Sequence, residues 1–203
     1  MSRLSLRHIV LIALLMALPS AVFATTLTID FESLSDGDGV TNQFPGVTFS
    51  NARVLTAGSS LNEFEFPPHS GSNVVFDDGG PISIGFNSPI LSIGGYFTYL
   101  TPLMLTAFDA NHIVLGSIAS AFSSNSGDAG SSPNELLQFS SGLGISSVIF
   151  AGNPLGGSFT LDDVTLTSLP QTTAVQEPAT LSLVLIGGAG ILRRARRLRA
   201  RCR

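Results

Sequence analysis

Nowhere between residues 25 and 170 do apolar residues recur at helical spacing. They come in short runs, several strictly alternating, and each run is ended by Gly, Pro, Asn or Asp. Thr26-Leu27-Thr28-Ile29-Asp30-Phe31 puts Leu27, Ile29 and Phe31 on one face of a strand. Further strands are expected at 47–49, 74–76, 82–86, 91–98, 103–109, 113–118, 136–139, 146–151 and 158–167. The punctuation between them is Asp36-Gly37-Asp38-Gly39, Asp78-Gly79-Gly80, Asn87-Ser88-Pro89, Asn111-His112 and Asn153-Pro154, with Asn111-His112 placed as a hairpin turn. About ten short strands in one domain's length of chain predict an all-β fold, an antiparallel jelly-roll-like β-sandwich.

The two ends have a different character. Arg3 and Arg7 precede an apolar run from Ile9 to Leu18, Pro19 and Ser20 break it, and Val22-Phe23-Ala24 offers a cleavage site. That order predicts a secretory signal over 1–24, an N-terminal signal helix cut after Ala24. At the other end Ala179 to Leu192 is apolar apart from Thr180 and Ser182, and seven arginines follow it, led by Arg193, Arg194, Arg196 and Arg197. Fourteen helical residues reach only about 21 Å against a hydrocarbon core near 30 Å, a gap that snorkelling arginines and local thinning can close. The basic cluster predicts a C-terminal transmembrane helix anchored on the cytoplasmic side, with the domain outside. The domains expected are therefore 1–24 signal, 25–168 sandwich, 169–176 linker and 177–203 sorting segment.

Charge separates the middle from the ends. The chain has no lysine, and of its ten arginines only Arg53 lies in the middle, where thirteen of its fourteen acids are found. So acidic a domain repels phosphate backbones, which excludes a nucleic-acid partner, and it is compatible with divalent cations or neutral, hydroxyl-rich ligands. Cys202 is the single cysteine, so no intramolecular disulfide forms. No Gly-x-Ser-x-Gly elbow, His-Glu-x-x-His, P-loop or dinucleotide fingerprint is present. With no tryptophan and only Tyr96 and Tyr99, the chain also lacks a ready aromatic platform, and its phenylalanines read as core. The expectation is a non-enzyme; a small secreted carbohydrate-active hydrolase using paired carboxylates is the alternative.

Gln176-Glu177-Pro178-Ala179-Thr180, followed by a Gly-containing apolar helix and an arginine cluster, resembles a PEP-CTERM sorting signal, a segment also labelled an ice-binding-protein C-terminal domain. Gln176 departs from the usual proline. The resemblance implies recognition of Glu177 and Pro178 by an exosortase, a membrane-embedded protease. It also implies passage through the inner membrane, release to the cell surface or beyond, and association with exopolysaccharide. No repeat period in 25–170 supplies the flat threonine array that ice binding needs.

The middle region resembles the galactose-binding-like and carbohydrate-binding jelly rolls often joined to such tails. Phe31-Glu32, Gly46-Val47-Thr48-Phe49, Leu105 to Asn111 and Phe159 to Leu166 carry that likeness. Several of those folds hold a structural calcium beside the first and last strands, which implies a shell drawn from Glu32, Asp36, Asp38 and one of Asp162 or Asp163. Alternation along a strand lets only one of that pair point at the ion. Asp-Gly pairs are equally ordinary turn chemistry, so acids serving turns without a metal stand as the other reading. Asp77-Asp78 before Gly79-Gly80 is a second calcium candidate, with a solvated loop as the favoured reading, and 122–133, rich in Ser, Gly and Asn, is expected to be a mobile loop at the edge of a binding surface.

Overall fold

The structure is a computed structural model describing residues 24–169. The signal, the sorting motif at Gln176, Glu177 and Pro178, the apolar tail and its arginines lie outside the described residues.

The described chain is all-β. Its strands are β1 (Thr26–Ile29), β2 (Gly39–Val40), β3 (Val47–Ser50), β4 (Ala52–Thr56), β5 (Asn73–Asp77), β6 (Ile82–Tyr99), β7 (Met104–Phe108), β8 (Val114–Ala119), β9 (Glu135–Ala151) and β10 (Phe159–Ser168). Neighbouring strands run in the order β2-β4-β5-β10-β6-β9-β7-β8, with β1 on β10 and β3 on β6, and every strand pair is antiparallel.

The long strands β6 and β9 make this hydrogen-bonded series into two layers. Ile82 at the start of β6 lies opposite Phe150 of β9. Phe97 is fifteen residues further along β6, about 50 Å away were the strand straight. Yet the Phe97 and Phe150 rings are 4.8 Å apart, centre to centre. The sheet therefore folds over on itself, at the register break between Gly85 and Ile90. Asn87-Ser88-Pro89, expected to end a strand, sits at that break inside β6 instead, so two expected strands are one bent one. The same holds for 136–139 and 146–151, joined in β9.

The first layer contains β3, the N-terminal half of β6, the C-terminal half of β9, β7 and β8. The second contains β2, β4, β5, β10, β1 and the remaining halves of β6 and β9. Alternation fills the space between them: Val47, Phe49, Ile82, Ile84, Leu105, Ala107, Val148 and Phe150 come from the first layer. Ile29, Val54, Val75, Ile93, Phe97, Leu161, Val164 and Leu166 come from the second. This is the sandwich that the alternating runs predict, and among the described residues its core is one continuous cluster drawn from both layers.

Candidate functional site

Two places concentrate polar chemistry. The first is the turn from His69 to Asn73 that leads into β5. Glu32 leaves the end of β1 beyond Phe31, whose φ of 60° turns the chain while its ring stays fully buried against Phe44 and Phe49. Glu32 Oε1 accepts the N–H groups of Ser72 (2.9 Å) and Asn73 (2.7 Å), and Oε2 accepts the Ser72 hydroxyl (3.2 Å). From the other side Asp162 Oδ2 accepts the N–H groups of His69 (2.8 Å) and Ser70 (2.9 Å). Asp163 takes the Ser70 hydroxyl on Oδ1 (2.9 Å), and its Oδ2 lies 2.6 Å from His69 Nδ1. The His69 ring stacks flat on Tyr96 at 3.4 Å.

Strict alternation would let only one of Asp162 and Asp163 face this turn. Both reach it, because β10 shifts register between Asp162 and Thr165 and Asp163 takes a φ of 46°. The first and last strands do lie side by side, with Ile29 opposite Val164, as the calcium expectation requires. Burial pushes Asp162 up to about 6; the adjacent Asp163 charge adds to the rise, and the Ser70, Asp163 and His69 amides pull against it.

Asp36 and Asp38 bond elsewhere. Asp36 accepts the Thr56 N–H (2.9 Å) and the hydroxyls of Ser59 (3.1 Å) and Ser60, and these bonds, the Ser60 one foremost, hold its carboxyl below the usual range. Asp38 Oδ2 accepts the Ser35 N–H (2.9 Å) within its own turn. Among the described residues no three His, Cys, Asp or Glu side chains are placed to grip one metal ion.

The acids at 77–78 divide. Asp77 is not in a solvated loop: it is fully buried, accepting the N–H groups of Ser158 (2.8 Å) and Phe159 (3.0 Å) and the Ser158 hydroxyl (2.7 Å), and burial raises its pKa. Asp78 pairs with Arg53 at 2.7 Å. The 122–133 loop is fastened to β6 by buried Asn125, whose Oδ1 accepts the Tyr99 N–H (2.7 Å) and whose Nδ2 donates to Phe97 O (2.9 Å) and Ser132 O (3.2 Å).

The second place is a cleft of about 380 Å³ on the outer surface of the first layer. Cross-strand register sets its floor as two rows. Ser50, Ser83 and Ile149 follow one another across β3, β6 and β9, with Thr106 of β7 next in register beyond the lining; Thr48, Gly85, Ser147 and Phe108 form the next row. His112, from the β7–β8 hairpin predicted at Asn111-His112, also lines the cleft. A Cβ on Gly85 would meet nothing within 4 Å, so the missing side chain deepens the middle of the floor. The cleft lining contains no Asp, Glu, Lys or Arg, and Thr48, Ser50, Ser83 and Ser147 present hydroxyls beside the apolar Phe108 and Ile149. Further along the face, Thr106 and Ser117 are bonded to each other at 3.1 Å. Sequence reasoning missed this site, although β3 and β6 each showed small or hydroxylated residues two apart; what joins them to Ser147 and Phe108 is the strand order.

No family model matches the chain, and no curated protein matches it. Among solved structures, the chain is similar to a DUF4465 family protein from Bacteroides caccae, with 13% identity, 71% of this chain and 100% of that one covered, and a TM-score of 0.46. It is also similar to the K1 cleaved adhesin domain of Lys-gingipain from Porphyromonas gingivalis, with 12% identity, 71% and 99% coverage and a TM-score of 0.44. A family 29 carbohydrate-binding module from Piromyces equi gives 14% identity, 73% and 93% coverage and a TM-score of 0.42.

Proposed function

We propose that this is an exported, non-catalytic surface or matrix protein whose sandwich holds a stretch of exopolysaccharide in the β3–β6–β9–β7 cleft. The observation that carries the reading is the cleft itself. It lies on a hydrogen-bonded sheet floor, falls within the about 300–1,000 Å³ of small-molecule sites, and offers hydroxyls beside apolar carbon. A Ser or Thr hydroxyl both donates and accepts, matching sugar hydroxyls, while Phe108 and Ile149 can cover the C–H face of a ring. The hydrolase alternative needs two carboxylates flanking the scissile bond. The cleft lining contains none, and Glu32, Asp36, Asp162 and Asp163 are spent on fastening turns. A glycan array probed with residues 25–169 tests this: retention of at least one polysaccharide with no shortening of it on long incubation is expected, and release of reducing ends would establish the enzyme instead.

Export rests on the two terminal segments. In this reading the signal carries the chain through the inner membrane, and an exosortase-type protease cuts near Gln176, Glu177 and Pro178 while the arginine cluster holds the tail. Glu177→Ala with Pro178→Ala is expected to leave full-length precursor in the membrane fraction of the native host, on an immunoblot that shows shorter, released protein for the parent; equal release from both would sink the sorting reading.

Calcium is a separate proposal for Glu32, Asp36, Asp38, Asp162 and Asp163, in which an ion displaces the N–H and hydroxyl donors that Glu32, Asp162 and Asp163 now accept around the His69–Asn73 turn and draws the three together. These are hard oxygen donors of the type calcium takes, and among the described residues His69 is the one basic side chain bonded to them. An ion there would neutralise the buried Asp162 and tie the first strand to the last. The thermal midpoint of residues 25–169 is expected to rise with calcium, and to rise more at pH 7.5 than at pH 5, since protons and calcium compete for Asp162. An unchanged midpoint in millimolar calcium at pH 7.5 would remove the ion.

A further inference from the structure

We infer that the glycan in this cleft is neutral: a polymer of uncharged sugars, not one bearing uronate, sulfate or phosphate. The inference rests on the cleft reading above and goes on to the chemistry of its occupant.

Anionic sugars are recognised by cations, and Arg or Lys holds their carboxylates or phosphates in charge-assisted bonds. The cleft has neither. The one arginine of the described domain is already committed: Arg53 Nε donates to Asp78 Oδ2 at 2.7 Å and Nη1 to Gly37 O at 2.8 Å, on β4 in the opposite layer. His69 is likewise held by Asp163 and stacked on Tyr96, away from the cleft. His112 is the only basic side chain at its rim.

An anionic chain would therefore surrender water around its charges and receive only hydroxyl bonds in return, which leaves the desolvation uncompensated. It would also approach a domain with thirteen acids and one arginine, whose field opposes it over a Debye length of about 10 Å at 0.1 M salt and about 30 Å at 0.01 M. A neutral chain meets neither cost. Its hydroxyls exchange hydrogen bonds with Thr48, Ser50, Ser83 and Ser147, and its binding depends little on salt.

The test is affinity electrophoresis of residues 25–169 through gels containing a neutral β-glucan, a neutral galactomannan, alginate or polygalacturonate. Runs are made at pH 8 with EDTA, in 10 mM and 150 mM salt. Two variants accompany the parent: Gly85→Leu, whose Cβ enters open space on the floor, and Phe108→Ala, which removes an outward-facing ring. The expected result is retardation by at least one neutral polymer and by neither polyanion. Retardation should change less than twofold with salt and fall at least tenfold in Gly85→Leu, whose unfolding midpoint should match the parent's. Retardation by a polyanion that is as strong and is lost in Gly85→Leu would overturn neutrality while leaving the cleft as the glycan site. No retardation by any polymer, or neutral binding untouched by both variants, would overturn the cleft reading and this inference with it.

Discussion

Asp162 has its carboxyl out of water, and what meets it is three backbone N–H groups and no cation. Its pKa, raised to about 6, is above the unfolded value near 3.9, so the folded state binds its proton more tightly. The stability this supplies is complete below about pH 4 and is lost as pH rises through about 6; Asp77, raised by its own burial, acts in the same direction. The urea midpoint of the domain without calcium is expected to be higher at pH 5 than at pH 7.5, with a smaller difference in Asp162→Asn. A midpoint that climbs steadily from pH 5 to 7.5 would contradict this. Asp77→Ala removes the acceptor from three buried donors and is expected to cost about 3 kcal/mol in the same assay. Gly71 sits at a φ of 54°, and a Cβ there would fall inside the Glu32 carboxyl. Gly71→Ala is therefore expected to cost about 2 kcal/mol, part of it recovered when Glu32 is also shortened to Ala. None of these roles shows in the sequence, where Asp77 looks like a turn residue and His-Ser-Gly-Ser-Asn like a loop.

At the scale of elements, the alternating runs located most strands because burial on one face forces a period of two. Two kinds of feature escaped. β2 has only two residues and can show no period, and β4 alternates only from Ala52 to Val54, with Asn51 alone separating it from β3. The bends in β6 and β9 escaped because Asn87-Ser88-Pro89 ends a strand in most settings, whereas here pairing resumes at Ile90 after the register shift. The loop after β8 was expected to be mobile from its Ser, Gly and Asn content; in the structure buried Asn125 ties it to β6, beside bonds from the Gly127 N–H to Glu65 O and from the Ser124 hydroxyl to Tyr99 O. Asn125→Ala should release that fastening, making 127–131 cleavable by a protease under conditions that leave the parent intact, with β6 and the core preserved. Equal protease resistance would show that the loop is held by other bonds.

For the whole molecule, the acid-rich middle and arginine-rich ends were legible at once, because charge needs no structure to be counted. The acids expected beside the first and last strands were legible in part. Glu32, Asp162 and Asp163 share the His69–Asn73 turn through strand pairing, while Asp36 and Asp38, close to Glu32 in sequence, bond to other turns. The cleft was not legible, since its residues come from four strands whose order only long-range pairing decides. It is nevertheless the centre of this account, and an amide-resolved NMR titration of residues 25–169 with an oligosaccharide of the polymer it retains tests it most directly. The account predicts that shifts gather on Thr48, Ser50, Ser83, Gly85, Phe108, His112 and Ser147 and leave the His69–Asn73 turn still. Shifts gathered on that turn, or on the loops at either end of the sandwich, would contradict it.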